Sequence, residues 1–181
     1  MDKTIVILSA IVAVLFLPSM AYGTFINVPP SMFPAGEVYY YNPTGTTVTI
    51  IAQSDGYTNM VKAAPTTSFI STMDFDNGGA NDSTLRYTGG ITKFFHIACS
   101  ISMSATNPND QFVYAVAKNG VPLDSSKIIM KLGGVSDTLS SAMHVFIELD
   151  PGDEIEFYVG NMSGSGNAVV KTINFVAISM H

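Results

Sequence analysis

Chemistry in this chain would have to come from three histidines, one cysteine, fourteen carboxylates or a run of tyrosines. His96, His144 and His181 are far apart, and no His-x-His or His-Glu-x-x-His spacing sets two imidazoles on one element. A zinc site would need a long-range cluster that the sequence does not display. His96 and His144 fall on the more polar faces of their segments and read as solvated or interface side chains. Cys99 has no second cysteine to bridge to, and its place in Phe95-x-Ile97-x-Cys99-x-Ile101-x-Met103 reads as a buried thiol. Neither Gly-x-Ser-x-Gly nor Gly-x-x-x-x-Gly-Lys occurs.

The carboxylates offer two arrangements. Asp74-Phe-Asp-Asn-Gly-Gly-Ala-Asn-Asp82 begins like a calcium loop, with oxygen donors at alternate positions. Gly78 stands at the fifth position and no Glu closes the twelfth, so it reads as a surface loop. Asp150-Pro-Gly-Asp153 reads as a hairpin turn rather than an acid pair, and Ser163-Gly-Ser-Gly166 as a flexible hairpin turn. These observations predict a protein that is not an enzyme, with no catalytic residue, metal or cofactor. Tyr39, Tyr40 and Tyr41 are the candidate contacts for a sugar or protein ligand, with packing of an edge strand as the competing reading. Asn81-Asp-Ser and Asn161-Met-Ser are glycosylation sequons, meaningful only on a route that glycosylates.

Short strands must position these residues. Val38–Tyr41 and Thr46–Ala52, rich in aromatic and β-branched residues, flank the turn sequence Asn42-Pro-Thr-Gly45. Asn59–Ala63, Ser68–Phe75, Thr84–Thr88, Lys93–Ala105, Gln111–Lys118, Lys127–Leu132, Leu139–Leu149, Glu154–Asn161 and Ala168–Met180 follow. No helical stripe of useful length appears after Gly23, which predicts an all-β sandwich or barrel. Period-two alternation is clearest in Phe95–Met103, Met143–Leu149 and Ile155–Val159. The last strand is apolar on both faces, with Val169, Ile173, Phe175 and Ala177 on one and Val170, Val176, Ile178 and Met180 on the other. A strand buried on both faces needs a second cover, from another subunit or from a neighbouring loop.

Residues 1–23 differ from the rest. Lys3 precedes an almost wholly apolar run from Thr4 to Leu17, Pro18 breaks it, and Ala21-Tyr-Gly23 supplies a small-x-small end. That is the pattern of a secretory signal peptide, and the run falls short of the roughly 20 residues that cross a bilayer. The alternative is a retained anchor giving a membrane contact through residues 4–25. Thr24–Ala35, with three prolines, reads as an extended connector, which leaves residues 36–181 as one domain. Charged residues make up 12% of the chain against roughly a quarter in average globular proteins. The net charge is −6 and the eight basic residues are scattered, so a nucleic-acid partner is not expected. Low charge with abundant Ser, Thr, Asn and Gly fits a virion surface or a secreted, extracellular setting.

The order of segments carries a resemblance. Glu37-Val-Tyr-Tyr, Tyr87-Thr-Gly-Gly, the long Phe94–Ala105 strand, Phe112-x-Tyr-Ala-Val-Ala-Lys-Asn-Gly120 and Leu149-x-x-Gly-Asp153-x-Ile-Glu-Phe-Tyr-Val-Gly-Asn161 stand in sequence. This resembles the jelly-roll modules of phage and large-virus structural proteins, which are similar to the tumour-necrosis-factor and complement globular-head fold. The resemblance spans about Gly36 to Met180. It implies a jelly-roll β-sandwich of about ten strands, assembled as a homotrimer with the C-terminal strand near the three-fold axis. Val170, Phe175, Val176, Ile178 and Met180 are then the candidate subunit interface. It further implies a structural virion-surface, minor capsid or spike component that meets other capsid or surface proteins in assembly or attachment. The hydrophobic N-terminus departs from soluble tail-fibre modules of this kind. A secreted monomeric carbohydrate-binding module or adhesin is the alternative from another class.

Overall fold

Alternating side chains build two antiparallel sheets that face each other across one apolar layer. The computed structural model describes residues 33–50 and 59–180; residues 1–23 and most of the connector 24–35 lie outside the described residues. Twelve strands are described: β1 Ala35–Val48, β2 Val61–Lys62, β3 Ser68–Met73, β4 Phe75–Asp76, β5 Thr84–Tyr87, β6 Lys93–Ala105, β7 Gln111–Lys118, β8 Val121–Pro122, β9 Ile128–Lys131, β10 Leu139–Leu149, β11 Glu154–Asn161 and β12 Ala168–Ser179. One sheet runs in the order β10-β6-β12-β1-β3. The other runs β4-β5-β11-β7-β8, with β2 also on β11 and β9 also on β7. The protein is an all-β sandwich.

The period-two segments hold the core. Phe95, Ile97, Cys99, Ile101 and Met103 of β6, Met143, Val145, Ile147 and Leu149 of β10, and Ile155, Phe157 and Val159 of β11 all point inward and are buried. Each such side chain contributes roughly 1.5–3 kcal/mol on full burial. Phe75, Tyr87 and Phe95 meet in tilted and edge-on contacts, with ring centres 4.9–5.6 Å apart. Asn119 and Gly120, at φ 51° and 79°, form the two-residue turn between Lys118 and Val121, as the Asn-Gly pair predicts.

Three connections differ from the sequence reading. β1 does not reverse at Asn42-Pro-Thr-Gly45 but continues through it along β12, and its register jumps between Tyr41↔Thr172 and Thr46↔Val170. The Asn42 carboxamide oxygen accepts from the Thr44 backbone N–H (3.0 Å) and hydroxyl (2.7 Å), and Gly45 takes φ 81°. The expected turn is thus folded into an outward bulge. Asp150-Pro-Gly-Asp153 joins β10 of one sheet to β11 of the other, so it is a corner between sheets and not a hairpin. Ser163–Gly166 likewise crosses between sheets, from β11 to β12, and is pinned rather than loose. Asp110, buried before β7, accepts from Asn161 Nδ2 (2.8 Å) and the Gly166 N–H (3.0 Å), while Asn161 Oδ1 accepts from the Ser163 and Gly164 N–H groups.

Candidate functional site

The two outer faces of the sandwich are unlike. On the seven-stranded sheet, Val113 and Ala115 of β7 point outward, yet they are fully buried because Met60, Tyr158 and Met162 lie over them. Ion pairs occupy this sheet and its turns: Lys62 with Asp82 (2.8 Å) and Glu156 (3.0 Å), Arg86 with Asp76 (2.6 Å) and Lys118 with Asp153 (2.6 Å). The Arg86 guanidinium holds the Asp76 carboxyl below its ordinary range, aided by the Gly78 N–H. Burial alone would raise Asp153, but the Lys118 ammonium, Asn119 and the Asp150 N–H outweigh it and lower the carboxyl. Asp76, the second acid of the calcium-like sequence, is therefore committed to Arg86 through both carboxylate oxygens.

The five-stranded sheet is different. Its registers align the outward side chains in cross-strand rows. One row reads Phe146, His96, Ile178, Ala35; the next reads His144, Ala98, Val176, Glu37, Ile70. Phe94 and Met180 lie beyond the first row. The rows towards the other end are Ala142, Ser100, Asn174, Tyr39, Ser68 and then Ser140, Ser102, Thr172, Tyr41. One end of the face is apolar and the other carries hydroxyls and amides. Phe146 is 67% exposed, Phe94 59%, Ile70 53%, Ile178 45% and Met180 43%. Glu37 accepts from Asn174 Nδ2 at 2.5 Å within the sheet. Glu148 stands at the rim beside Phe94.

The candidate interface residues divide between the two sides of β12. Val176, Ile178 and Met180 belong to this outer face. Val170 and Phe175 are fully buried in the protomer's own core and offer nothing to a second chain. For Val170 the reason is the irregularity between Val170 and Thr172, which reverses the alternation, so that Val169 turns outward in its place. The strand is apolar on both sides, as its sequence reads, but the membership of each side changes at that bulge.

Tyr39 and Tyr41 are exposed on the same face, beside Asn42, Pro43, Thr66 and Ser68 at an open depression. Tyr40 is turned inward, and its hydroxyl bonds Thr46 Oγ1 at 2.5 Å, so the three tyrosines do not act as one surface. Asn81 is exposed, with its Oδ1 taken by Asn77 Nδ2. Asn161 is fully buried and its Nδ2 is divided between Asp110 and the Gly166 carbonyl, so a glycan on that nitrogen is incompatible with this packing. Cys99 is buried, and burial pushes its thiol up to about 12.

Sequence reasoning missed one pair. His96 and His144, 48 positions apart, sit diagonally across β6 and β10, with His96 Nε2 and His144 Nδ1 3.0 Å apart. Their identical outward parity was legible, but their meeting depends on the β6–β10 register. Among the described residues no group of three metal-ligating side chains occurs.

No protein-family model and no curated protein matches the chain. Solved structures do. Eiger TNF from S. frugiperda aligns over 82% of this chain and 93% of its own, at 11% identity and a TM-score of 0.50. The chain folds as a TNF-like jelly roll. PRD1 vertex protein P5 aligns over 82% of this chain and 73% of its own at 12% identity and a TM-score of 0.47, and murine APRIL over 80% and 98% at 10% and 0.45. At 11% identity the likeness to Eiger TNF bears on the fold alone. Among the described residues, no helix of this jelly roll is long and apolar enough to cross a membrane.

Proposed function

We propose that this jelly roll is a non-enzymatic structural protein, a homotrimeric component of a virion surface, minor capsid or spike that acts in assembly or attachment. The observation that carries the reading is the bare apolar end of the five-stranded sheet, set against a second sheet whose outward Val113 and Ala115 are covered within the protomer. Exposed rows of Phe, Ile and Met lose free energy to water unless covered, at roughly 25 cal/mol per Å² of apolar surface. A chain of net charge −6 repels its copies, and this face brings few carboxylates together.

The ends of the face favour a rotation axis along the strands. Copies related by such an axis set apolar rows on apolar rows and hydroxyl rows on hydroxyl rows. A two-fold axis perpendicular to the strands would set one end against the other. The resemblance of the segment order to trimeric jelly-roll modules supplies the number three. The test is Ile178→Asp, followed by light scattering at micromolar concentration, with circular dichroism to confirm the fold. The variant is expected as a folded monomer; a variant that stays associated removes this face from the interface.

A second reading, a secreted adhesin or carbohydrate-binding module, draws on the exposed rings of Tyr39 and Tyr41. A glycan array with wild type and Tyr41→Ala separates it, since this reading requires a signal that the variant loses.

A further inference from the structure

The sheet brings together two imidazoles whose facing nitrogens are within bonding range of one another. With ring planes 5° apart, ring centres 5.1 Å apart and His96 Nε2 only 3.0 Å from His144 Nδ1, the rings meet edge to edge rather than face to face. The facing nitrogens therefore lie close enough for one ion to reach both once the rings turn. Ala98, which pairs with His144, and Ala142, the next outward residue along β10, are small neighbours of the pair. Phe146 lies against His96 with ring centres 5.2 Å apart and limits its swing.

We propose that His96 and His144 form a two-imidazole site for a divalent transition ion of the zinc, nickel or copper class. Imidazole nitrogen is a borderline donor that suits these ions, and no carboxylate stands in either histidine's row except Glu37, which is held by Asn174. Calcium and magnesium, which require oxygen ligands, find none. An ion at about 2.0–2.1 Å from each nitrogen needs a modest outward turn of two exposed rings. In the hydrogen-bonded pair one facing nitrogen carries a proton. Ion binding moves that proton to the far nitrogen of the same ring, so no proton is released where both rings are neutral. Water completes the coordination, since no third protein ligand is present among the described residues. His144 is on the edge strand β10, which keeps the pair at the rim of the face.

Of the strands beside the pair, β12 presents Val176 and Ile178 to it. The experiment is thermal unfolding and calorimetric titration of the full chain with zinc or nickel chloride, with magnesium and calcium as controls. The expected result is one ion per chain, and at a hundredfold excess over Kd a rise in Tm of about 5–10 °C. That rise should vanish in both His96→Asn and His144→Asn, and persist in His181→Asn. Both substituted positions are solvent-facing and keep a polar side chain, so the variants should fold. No zinc-dependent rise, an equal rise with magnesium, a rise surviving in either variant, or one ion per two chains would each overturn the proposal.

Discussion

Asp110 should be among the most costly polar residues to remove, because it is a buried carboxylate that pairs with no cation among the described residues and is held by backbone and amide donors. Asp110→Ala strips the acceptor from Asn161 Nδ2 and from the Gly166 N–H, leaving the latter buried without a partner. Hydrogen bonds to a charged group are worth roughly 1.5–3 kcal/mol each, so the loss of two comes to about 3–6 kcal/mol. At roughly 2–4 °C per kcal/mol the midpoint should fall by about 10 °C. Gly164 provides an internal control. A Cβ there would meet Asp110 Oδ1 at 2.5 Å, and its other near neighbours are also atoms of Asp110. Gly164→Ala alone should therefore cost about 1–3 kcal/mol from overpacking. In the Asp110→Ala background the clash disappears, and the same substitution should cost under about 0.5 kcal/mol. Urea denaturation of the two single variants and the double variant measures the cycle. An Asp110→Ala cost below about 1 kcal/mol, or strict additivity with Gly164→Ala, would refute the network's role in holding the crossing between sheets.

Other outcomes follow from single groups. Among the described residues the buried Tyr114 hydroxyl has no hydrogen-bond partner, so Tyr114→Phe should be neutral or stabilising by up to about 1 kcal/mol in urea denaturation, the opposite of an ordinary buried Tyr→Phe change. Asp76 and Asp153 have lowered carboxyls in the folded state. The stability they contribute is therefore present above the ordinary carboxylate range and is lost as pH falls through their folded values. Melting temperature should be flat from pH 7 to about 5 and drop below about pH 4, less steeply in Asp153→Asn. Cys99, with its thiol pushed up to about 12, should ignore a disulfide reagent at pH 8 until denaturant is added.

The fold was legible where one physical rule acted alone. Strict alternation in Phe95–Met103 and Met143–Leu149, with one face that must be dry, set both the strands and their inward residues. The Asn119-Gly120 turn was legible for the same reason, since only residues tolerant of positive φ suit it. Legibility failed where pairing across the sheet overrode local chemistry. Asn42-Pro-Thr-Gly45 has the composition of a chain reversal, but β12 lies alongside and converts it to a bulge. The bulge after Val170 reversed facing in a way that alternation counting cannot see. Of the outer face, Val176, Ile178 and Met180 were readable from β12 itself. Phe94, Phe146 and Ile70 join them only through registers between strands far apart in sequence. The histidine pair is hidden for that reason too.

Self-association through the outer face of the five-stranded sheet is the central claim, and native mass spectrometry of the full-length protein tests it most directly. The protomer has a sequence mass of 19.3 kDa, and denatured mass in the same run fixes the protomer actually present, whether or not residues 1–23 remain. A native ion at three times that protomer mass is expected at micromolar concentration. A single-protomer ion under the same conditions would contradict it.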